Sequence, residues 1–337
     1  MKIALDAMGG DFAPANNVAG AVMALNTVPH LDRIYLVGKE DSIRAELKKL
    51  KCSDERLIIV GASEVVEMHD SPVDAMRRKK DSSISRAVDL VKGGEAQAVV
   101  SPGHTGATVA VSTVKLRLLP GVLKAGIATT LPNRTNLCVL IDAGANIDPS
   151  AEHLLQYAIM GTIYSRHVLG YPNPSVGLMS IGSEDLKGDT LTKETFRLLK
   201  ESQLNFRGNV EGHDLFENPV EVVVADGFTG NVVLKSCEAT ASAIFHWLKD
   251  ELKKSPIRLG GALMAQGAFK AIKARTNYET YGGSPLLGVD GICIIAHGSS
   301  TPLAVKNAIR VAAEAIQTQV NPHIVEEISK FNLRKPA

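Results

Sequence analysis

Long apolar runs are missing from this chain. No stretch approaches the roughly 18 residues that span a bilayer, so no transmembrane helix is expected. A secretory leader is not expected either, because three apolar residues follow Lys2 before Asp6 interrupts them. Charge of one sign is not in excess. Lys and Arg number 37 against 36 Asp and Glu, and a net charge of +1 gives no global reason to bind nucleic acid or anionic lipid. Cysteine is sparse: Cys52, Cys138, Cys237 and Cys293 lie far apart with no Cys-x-x-Cys pair. That argues against a zinc site or disulfide framework and for a reducing compartment. No Gly-x-Gly-x-x-Gly follows a candidate strand, and neither a P-loop nor a Gly-x-Ser-x-Gly elbow occurs. The nine histidines are scattered and no helix carries clustered carboxylates, which speaks against a metal site; together these absences argue against the commonest nucleotide and hydrolase readings and bear less on nicotinamide enzymes of unusual fold.

What is present is a loop pattern repeated five times, in which a short apolar run enters a Gly-rich polar turn and then a helical stretch. Ile3-Ala4-Leu5-Asp6 leads into Ala7-Met8-Gly9-Gly10-Asp11, and Ala98-Val99-Val100-Ser101 into Pro102-Gly103-His104-Thr105-Gly106. Val139-Leu140-Ile141-Asp142 leads into Ala143-Gly144-Ala145-Asn146, and Val222-Val223-Val224-Ala225-Asp226 into Gly227-Phe228-Thr229-Gly230-Asn231. Ile292-Cys293-Ile294-Ile295-Ala296 leads into His297-Gly298-Ser299-Ser300. Further apolar runs at 34–38, 57–61 and 176–182 read as strands, and their continuous character is that of strands buried on both faces. Helical patterns fall at 15–26, 40–50, 82–93, 105–118, 150–168, 190–201 and 301–318. This alternation predicts an α/β fold: a mostly parallel sheet in a three-layer α/β/α sandwich, one domain over 1–337. Ligands of such sheets bind beyond the carboxyl ends of the strands, and polar loops at helix starts suit an anion.

The segment 232–280 departs from the alternation. A helical pattern from Val232 to Lys254 reaches Ser255-Pro256 and a second runs from about 258 to 275, predicting a helical excursion from the sheet. Leu259, Leu263 and Phe269 share a face of the second pattern, with Lys270, Lys273 and Arg275 interleaved. The face suits a packed helix pair, or contact with a membrane or an acyl chain. Lys187 sits in the Gly-bounded loop Gly182–Gly188, where it is either solvated or catalytic. Thr229 and Asn231 either approach a ligand or cap a helix. His104 with Thr105 carries the same two readings, and Asp6 and Asp142 are placed to orient loops or touch substrate. The run Arg77-Arg78-Lys79-Lys80 is a solvated face or, with Lys270 and Lys273, a dock for an acidic partner.

In order and over nearly the whole chain, these strings resemble the phosphate acyltransferases called PlsX. The match takes in Leu5–Asp11, Lys79-Lys80-Asp81-Ser82-Ser83-Ile84, Ile141–Asn146, Asp226–Asn231 and Ala296–Ser300. One position departs: where the family reads Ser-Ala-Gly-Asn-Thr-Gly, this chain has Ser101-Pro102-Gly103-His104-Thr105-Gly106. The resemblance implies transfer of a long-chain acyl group from acyl carrier protein to inorganic phosphate, giving acyl phosphate for phospholipid synthesis. It implies a fold similar to isopropylmalate dehydrogenase, a homodimer, no cofactor, and a cytoplasmic location with peripheral membrane contact. Hand-over to a membrane glycerol-3-phosphate acyltransferase fits that contact. Carried over, Lys187 neutralises phosphate or the developing oxyanion and Asn231 donates to the thioester oxygen. Asp6, Gly9, Gly10, Asp11, His104, Thr105, Gly106, Asp142, Asn146, Gly227, Thr229, Gly230, His297 and Ser299 then form the substrate and phosphate site. Rival readings are an acyl-CoA phosphotransacetylase, a metal-dependent hydroxy-acid dehydrogenase and a membrane-associated scaffold.

Overall fold

The computed structural model describes residues 1–332 apart from Met68, Asn218, Pro219 and Asn277, and does not describe the side chains of Lys273, Tyr278 and Asn332. Strand and helix alternate through β1 (Lys2–Asp6), α1 (Ala15–Thr27), β2 (Arg33–Gly38), α2 (Glu40–Lys49), β3 (Leu57–Gly61), α3 (Pro72–Arg78), α4 (Ser83–Lys92), β4 (Ala98–Ser101) and α5 (Thr105–Leu116). Next come β5 (Gly126–Pro132), β6 (Leu137–Ile141), α6 (Ala151–His167), β7 (Ser175–Met179), α7 (Thr190–Glu201), β8 (Asn205–Val210), α8 (Asp214–Glu217) and β9 (Val222–Val224). The remainder holds α9 (Gly227–Lys253), α10 (Pro256–Met264), α11 (Gln266–Thr276), α12 (Tyr278–Tyr281), β10 (Ser284–Leu287), β11 (Ile292–Ile295), α13 (Pro302–Gln317) and α14 (Val320–Asn332).

The described strands form one eleven-stranded sheet in the order β3-β2-β1-β4-β11-β10-β5-β6-β9-β7-β8. Alternate residues of a strand feed opposite helical layers. Ile3 and Leu5 pack with Val18 of α1 and Val305 of α13, whereas Ala4 between them packs with Ile84 and Val88 of α4. In the other half, Val139 and Ile141 face Tyr157 and Met160 of α6, while Cys138 and Leu140 face Val233 and Leu234 of α9. Burial on both faces is why these strands read as unbroken apolar runs, and each such Leu or Ile contributes about 1.5–3 kcal/mol. The expected α/β/α sandwich is the observed architecture.

Two parallel blocks meet head to head in the middle. The strands β3, β2, β1, β4 and β11 run one way, and β6, β9, β7 and β8 run the other, with β10 and β5 antiparallel between them. Register fixes where each block ends. Ser284 of β10 pairs with Ile295 at the end of β11, and Leu286 pairs with Ile127 of β5. Thr129 therefore stands level with Ser284, and their hydroxyls meet at 2.8 Å. Ala128 is partnered by Ile141, the last residue of β6. The carboxyl ends of β11 and β6 thus reach the same level from opposite directions. Loops from both blocks open into one cleft.

All eight expected strands are present. The three not foreseen are β5, β8 and β10, which carry Thr129-Thr130, Arg207-Gly208 and Ser284-Pro285 where an apolar run would have marked them. The pattern at 258–275 is two helices rather than one, broken at Ala265, with Pro256 opening the first and Gly260, Gly261 and Gly267 weakening continuity. The excursion itself is present. Of the 27 residues of α9 only Gly227 and Gly230 are buried, and α10 buries none. Its far end returns to the sheet through Arg275, whose Nη2 donates to the carbonyls of Asn133 and Arg134 beside β5. Among the described residues no helix is long and apolar enough to cross a membrane.

Candidate active site

Two buried carboxylates hold the loops of the cleft. Asp142 directly follows β6, fully buried, and it accepts from the N–H groups of Ile127 (3.0 Å), Gly144 (3.0 Å), Ala145 (2.9 Å) and Asn146 (2.7 Å). Burial pushes its carboxyl above the ordinary value, and these four donors pull the other way. The side chain of Asn146 is spent on the same scaffold, donating to Ala125 O at 2.6 Å and to Tyr157 Oη at 2.7 Å. Asp6 repeats the arrangement at the end of β1. It accepts from Ser101 Oγ at 2.8 Å and from Met8 N–H at 3.3 Å, and burial again raises its carboxyl. Both carboxylates are turned onto loop donors. Asp6, Asp142 and Asn146 thus tie the loops of the cleft together.

The other glycines and loop residues dock onto this frame. Gly10 adopts φ +91°, and Asp11 N–H donates to Gly298 O at 2.8 Å, so the 9–11 turn lies against the loop after β11. Gly9 sits against Gly103 and Asp6. His104 caps α5, its Nδ1 accepting from Ala107 N–H at 3.3 Å; the proton of the neutral ring is therefore on Nε2. The N–H groups of Thr105 and Gly106, at the start of α5, make no hydrogen bond with a described residue. His297 and Ser299 are joined, Nδ1 to Oγ, at 2.8 Å.

At the start of α9 the cap is Asp226, whose Oδ1 accepts from Thr229 N–H at 2.9 Å; neither Thr229 nor Asn231 fills that role. Gly227 N–H donates to Asn146 O at 2.8 Å, and a Cβ on Gly230 would stand 1.9 Å from Asp142 O. Only glycine fits there. The contact locks α9 onto the β6 loop and leaves Asn231 exposed, over Gly144, with no hydrogen bond to a described residue.

Asn231, Thr105 and His297 line one cavity of about 960 Å³. It begins at the loop cluster and continues beneath α9 past Leu234, Cys237, Ala241, Phe245, Leu248 and Leu252. The far wall is Leu259, Ala262 and Phe269 of the hairpin, and the near wall Thr129 and Thr130 of β5. Sequence reading missed the α9 stripe, although its spacing at 234, 241, 245, 248 and 252 is helical and could have marked it. Leu259 and Phe269 face this cavity, but Leu263 does not; it is 68% exposed beside Met264 at 91% and Ile257 at 88%.

Lys187 is not brought into this group. It lies in the loop after β7, half exposed, and pairs with Glu184 at 3.9 Å. The basic run is divided as well. Lys79 bonds Asp70 and Val65 O and Arg78 pairs with Asp74 at 3.7 Å, which leaves Arg77 and Lys80 without an ion pair to a described residue. Lys249, Lys253 and Lys270 line the cavity and also make no such pair. The Lys273 side chain lies outside the described residues. Among the described residues there is no group of three or more His, Cys, Asp or Glu able to hold a metal.

The fold that carries this site, a mostly parallel sheet covered by helices, is shared with solved phosphotransacylases. The chain superposes on a phosphotransacetylase from Streptococcus pyogenes with TM-score 0.62 at 20% identity over 94% of both chains. It superposes on a branched-chain phosphotransacylase from Enterococcus faecalis with TM-score 0.55 at 13% identity, over 94% of this chain and 99% of the other. At those identities the likeness is one of fold. Sequence goes further. The profile of a family described as "Fatty acid synthesis protein" matches residues 1–323. A phosphate acyltransferase of Akkermansia muciniphila is 55% identical over 98% of this chain and 97% of its own length. One from Pelotomaculum thermopropionicum is 47% identical over 99% and 97%. The chain belongs to the phosphate acyltransferase family.

Proposed function

We propose that the protein moves a long-chain acyl group from the thioester of acyl carrier protein to inorganic phosphate, releasing the carrier thiol and an acyl phosphate. The observation that carries this reading is the apolar slot under α9, continuous with Asn231 and the α5 start. A short acyl group would leave most of that slot empty, whereas a long one buries about 0.8 kcal/mol per methylene. Phosphate is the nucleophile and the thiolate the leaving group, so no side-chain nucleophile is required. The site has to supply position and charge compensation. Asn231 Nδ2 donates to the thioester oxygen as it becomes an oxyanion, and the Thr105 and Gly106 N–H groups receive phosphate. Lys187 enters on this reading by movement of its exposed loop, since it stands outside the cavity.

Lys249, Lys253 and Lys270 line the slot and suit an acidic carrier that delivers its acyl chain there. They join Arg77 and Lys80 as the proposed dock. Outward-facing Ile257, Leu263 and Met264 suit contact with a membrane surface, where an acyl phosphate would pass to a membrane glycerol-3-phosphate acyltransferase. A cytoplasmic homodimer completes the proposal. The test is phosphate-dependent thiol release from palmitoyl-acyl carrier protein, beside palmitoyl-CoA and acetyl-CoA. Fast release from the carrier-protein donor with acyl phosphate formed supports it. Activity confined to acetyl-CoA would replace it with the short-chain reaction named for the structural neighbour.

A further inference from the structure

On the α6 face of the sheet, sharing no residue with the slot under α9, a second cavity of about 340 Å³ opens between α6, α7 and α14. Its walls are apolar where Ile159, Ile163, Leu198 and Leu204 meet. Thr162 and Arg166 are also among its lining residues. Thr162 Oγ1 and Arg166 Nε are buried without a hydrogen-bond partner, and Thr162 is 4% exposed. Arg166 makes no ion pair with a described residue. The positions 159, 162, 163 and 166 recur at helical spacing, so α6 presents donor and apolar groups to one space. Glu152, Glu201 and Glu327 also line the cavity, yet none is an ion-pair partner of Arg166; Glu201 pairs with Arg197 at 3.8 Å and Glu327 with Lys330 at 3.5 Å.

A buried guanidinium N–H left unmade is costly, and an oxygen acceptor is what satisfies it. The planar fork of arginine favours a carboxylate or phosphate. The volume lies within the range of small-molecule sites, and the walls favour a hydrocarbon tail. We propose that this cavity is a second ligand site, distinct from the acyl slot, which takes a single-headed anionic amphiphile. The tail lies among Ile159, Ile163 and Leu198, and the head accepts from Arg166 and Thr162. Binding here is independent of the acyl-transfer reading.

The test uses methyl-labelled isoleucine in the full chain. Ile159 and Ile163 report on this cavity, and Ile127 and Ile295 on the slot under α9. Decanoate and decyl phosphate, titrated separately, are expected to shift Ile159 and Ile163 saturably; the tighter of the two identifies the head. Decanol, with the same tail and no charge, is expected to bind about tenfold more weakly or worse. Arg166→Met is expected to lose the Ile159 and Ile163 response by a similar factor while Ile127 and Ile295 respond as before. Should that variant lose its native spectrum, Thr162→Val, which keeps shape and removes the donor, carries the same comparison with a smaller loss. Ile159 and Ile163 shifts that are absent for both anions, equal for decanol, or unchanged in a folded Arg166→Met would overturn the proposal.

Discussion

Ala241 stands on the stripe of α9 that roofs the slot, seven residues beyond Leu234 and eleven before Leu252. At about 1.5 Å per residue the stripe from Leu234 to Leu252 is about 27 Å long, and Ala241 lies about 10 Å along it. Ala241→Trp would put a large ring across the path without touching the loop cluster where Asn231 sits. The substitution should therefore divide donors by length. Those whose chain stops short of the ring keep their rate. For longer donors each methylene denied burial costs about 0.8 kcal/mol, close to fourfold in kcat/KM. Four excluded methylenes amount to about 3 kcal/mol, or roughly two hundredfold. The assay is phosphate-dependent thiol release from carrier-protein thioesters graded from butyryl to stearoyl. In the wild type kcat/KM should climb with length; in the variant it should climb and then level. A uniform fall at every length would mean that the ring disturbs chemistry rather than the slot. An unchanged profile would mean that acyl chains do not run beneath α9.

Asn231→Ala should lower kcat by about 10²–10³-fold with an unchanged melting curve, because its side chain bonds nothing described and, on the proposed reading, donates to the thioester oxygen; loss of fold with loss of rate would make it a structural residue. Gly230→Ala forces a methyl into Asp142 O and should cost about 1–3 kcal/mol or more in denaturant titration, and a neutral result would show that the start of α9 yields. Burial and then the Glu238 charge raise the Cys237 thiol, and the thiolate is the reactive form. Alkylation of Cys237 should therefore keep accelerating above pH of roughly 8.5, where an ordinary cysteine levels off, and long-chain donors should protect it. Cys138, pushed up to about 12, should stay unlabelled in the native protein by mass spectrometry. Asp6 is raised above 3.8 in the folded state, so the folded chain holds that proton more tightly and its contribution to stability falls as pH rises through the window above 3.8. Asp6→Asn should remove that fall, giving a steeper gain in stability with pH than wild type just above 3.8. Leu263→Glu should weaken liposome binding and spare solution turnover; equal binding would return the outer face of α10 to a protein contact.

Strands buried on both faces announced themselves because every residue of Val222-Val223-Val224 or Ala98-Val99-Val100 meets a helix. The strands between the two blocks did not, since β5 carries Thr129-Thr130 and β10 opens on Ser284-Pro285, which interrupt the apolar residues Ile127, Leu131, Leu286 and Leu287 that they bury. That loss matters, because β5 and β10 reverse the sheet and bring both sets of loops to one level. From the sequence alone the five Gly-rich turns could be named but not gathered. The roles of Asp6 and Asp142 were undecided for the same reason: a carboxylate after a strand looks alike whether it faces substrate or backbone N–H groups. α14 was missed because Gln319, with φ +50°, breaks the helical run that continues from Val320.

The same geometry accounts for how little of the site is reactive. The carboxylates at or just past the strand ends in the cleft are turned onto loop donors: Asp142 accepts from four backbone N–H groups, Asp6 from Ser101 and Met8, and Asp226 from Thr229. An enzyme that activates a side-chain nucleophile needs an unsatisfied base beside it. One that brings a dianion to a thioester needs the reverse, with anionic side chains withdrawn and N–H groups facing the cleft. Buried carboxylates that consume loop donors at their back achieve both, fixing the turns while the first N–H groups of α5 stay open. On that argument Asp142→Asn should damage turnover through geometry. Its amide would place a donor against backbone donors, releasing the 144–146 turn on which Asn231 rests, and KM for phosphate and kcat should deteriorate together. A variant that lost kcat alone, with phosphate KM and stability intact, would instead place Asp142 in the chemistry.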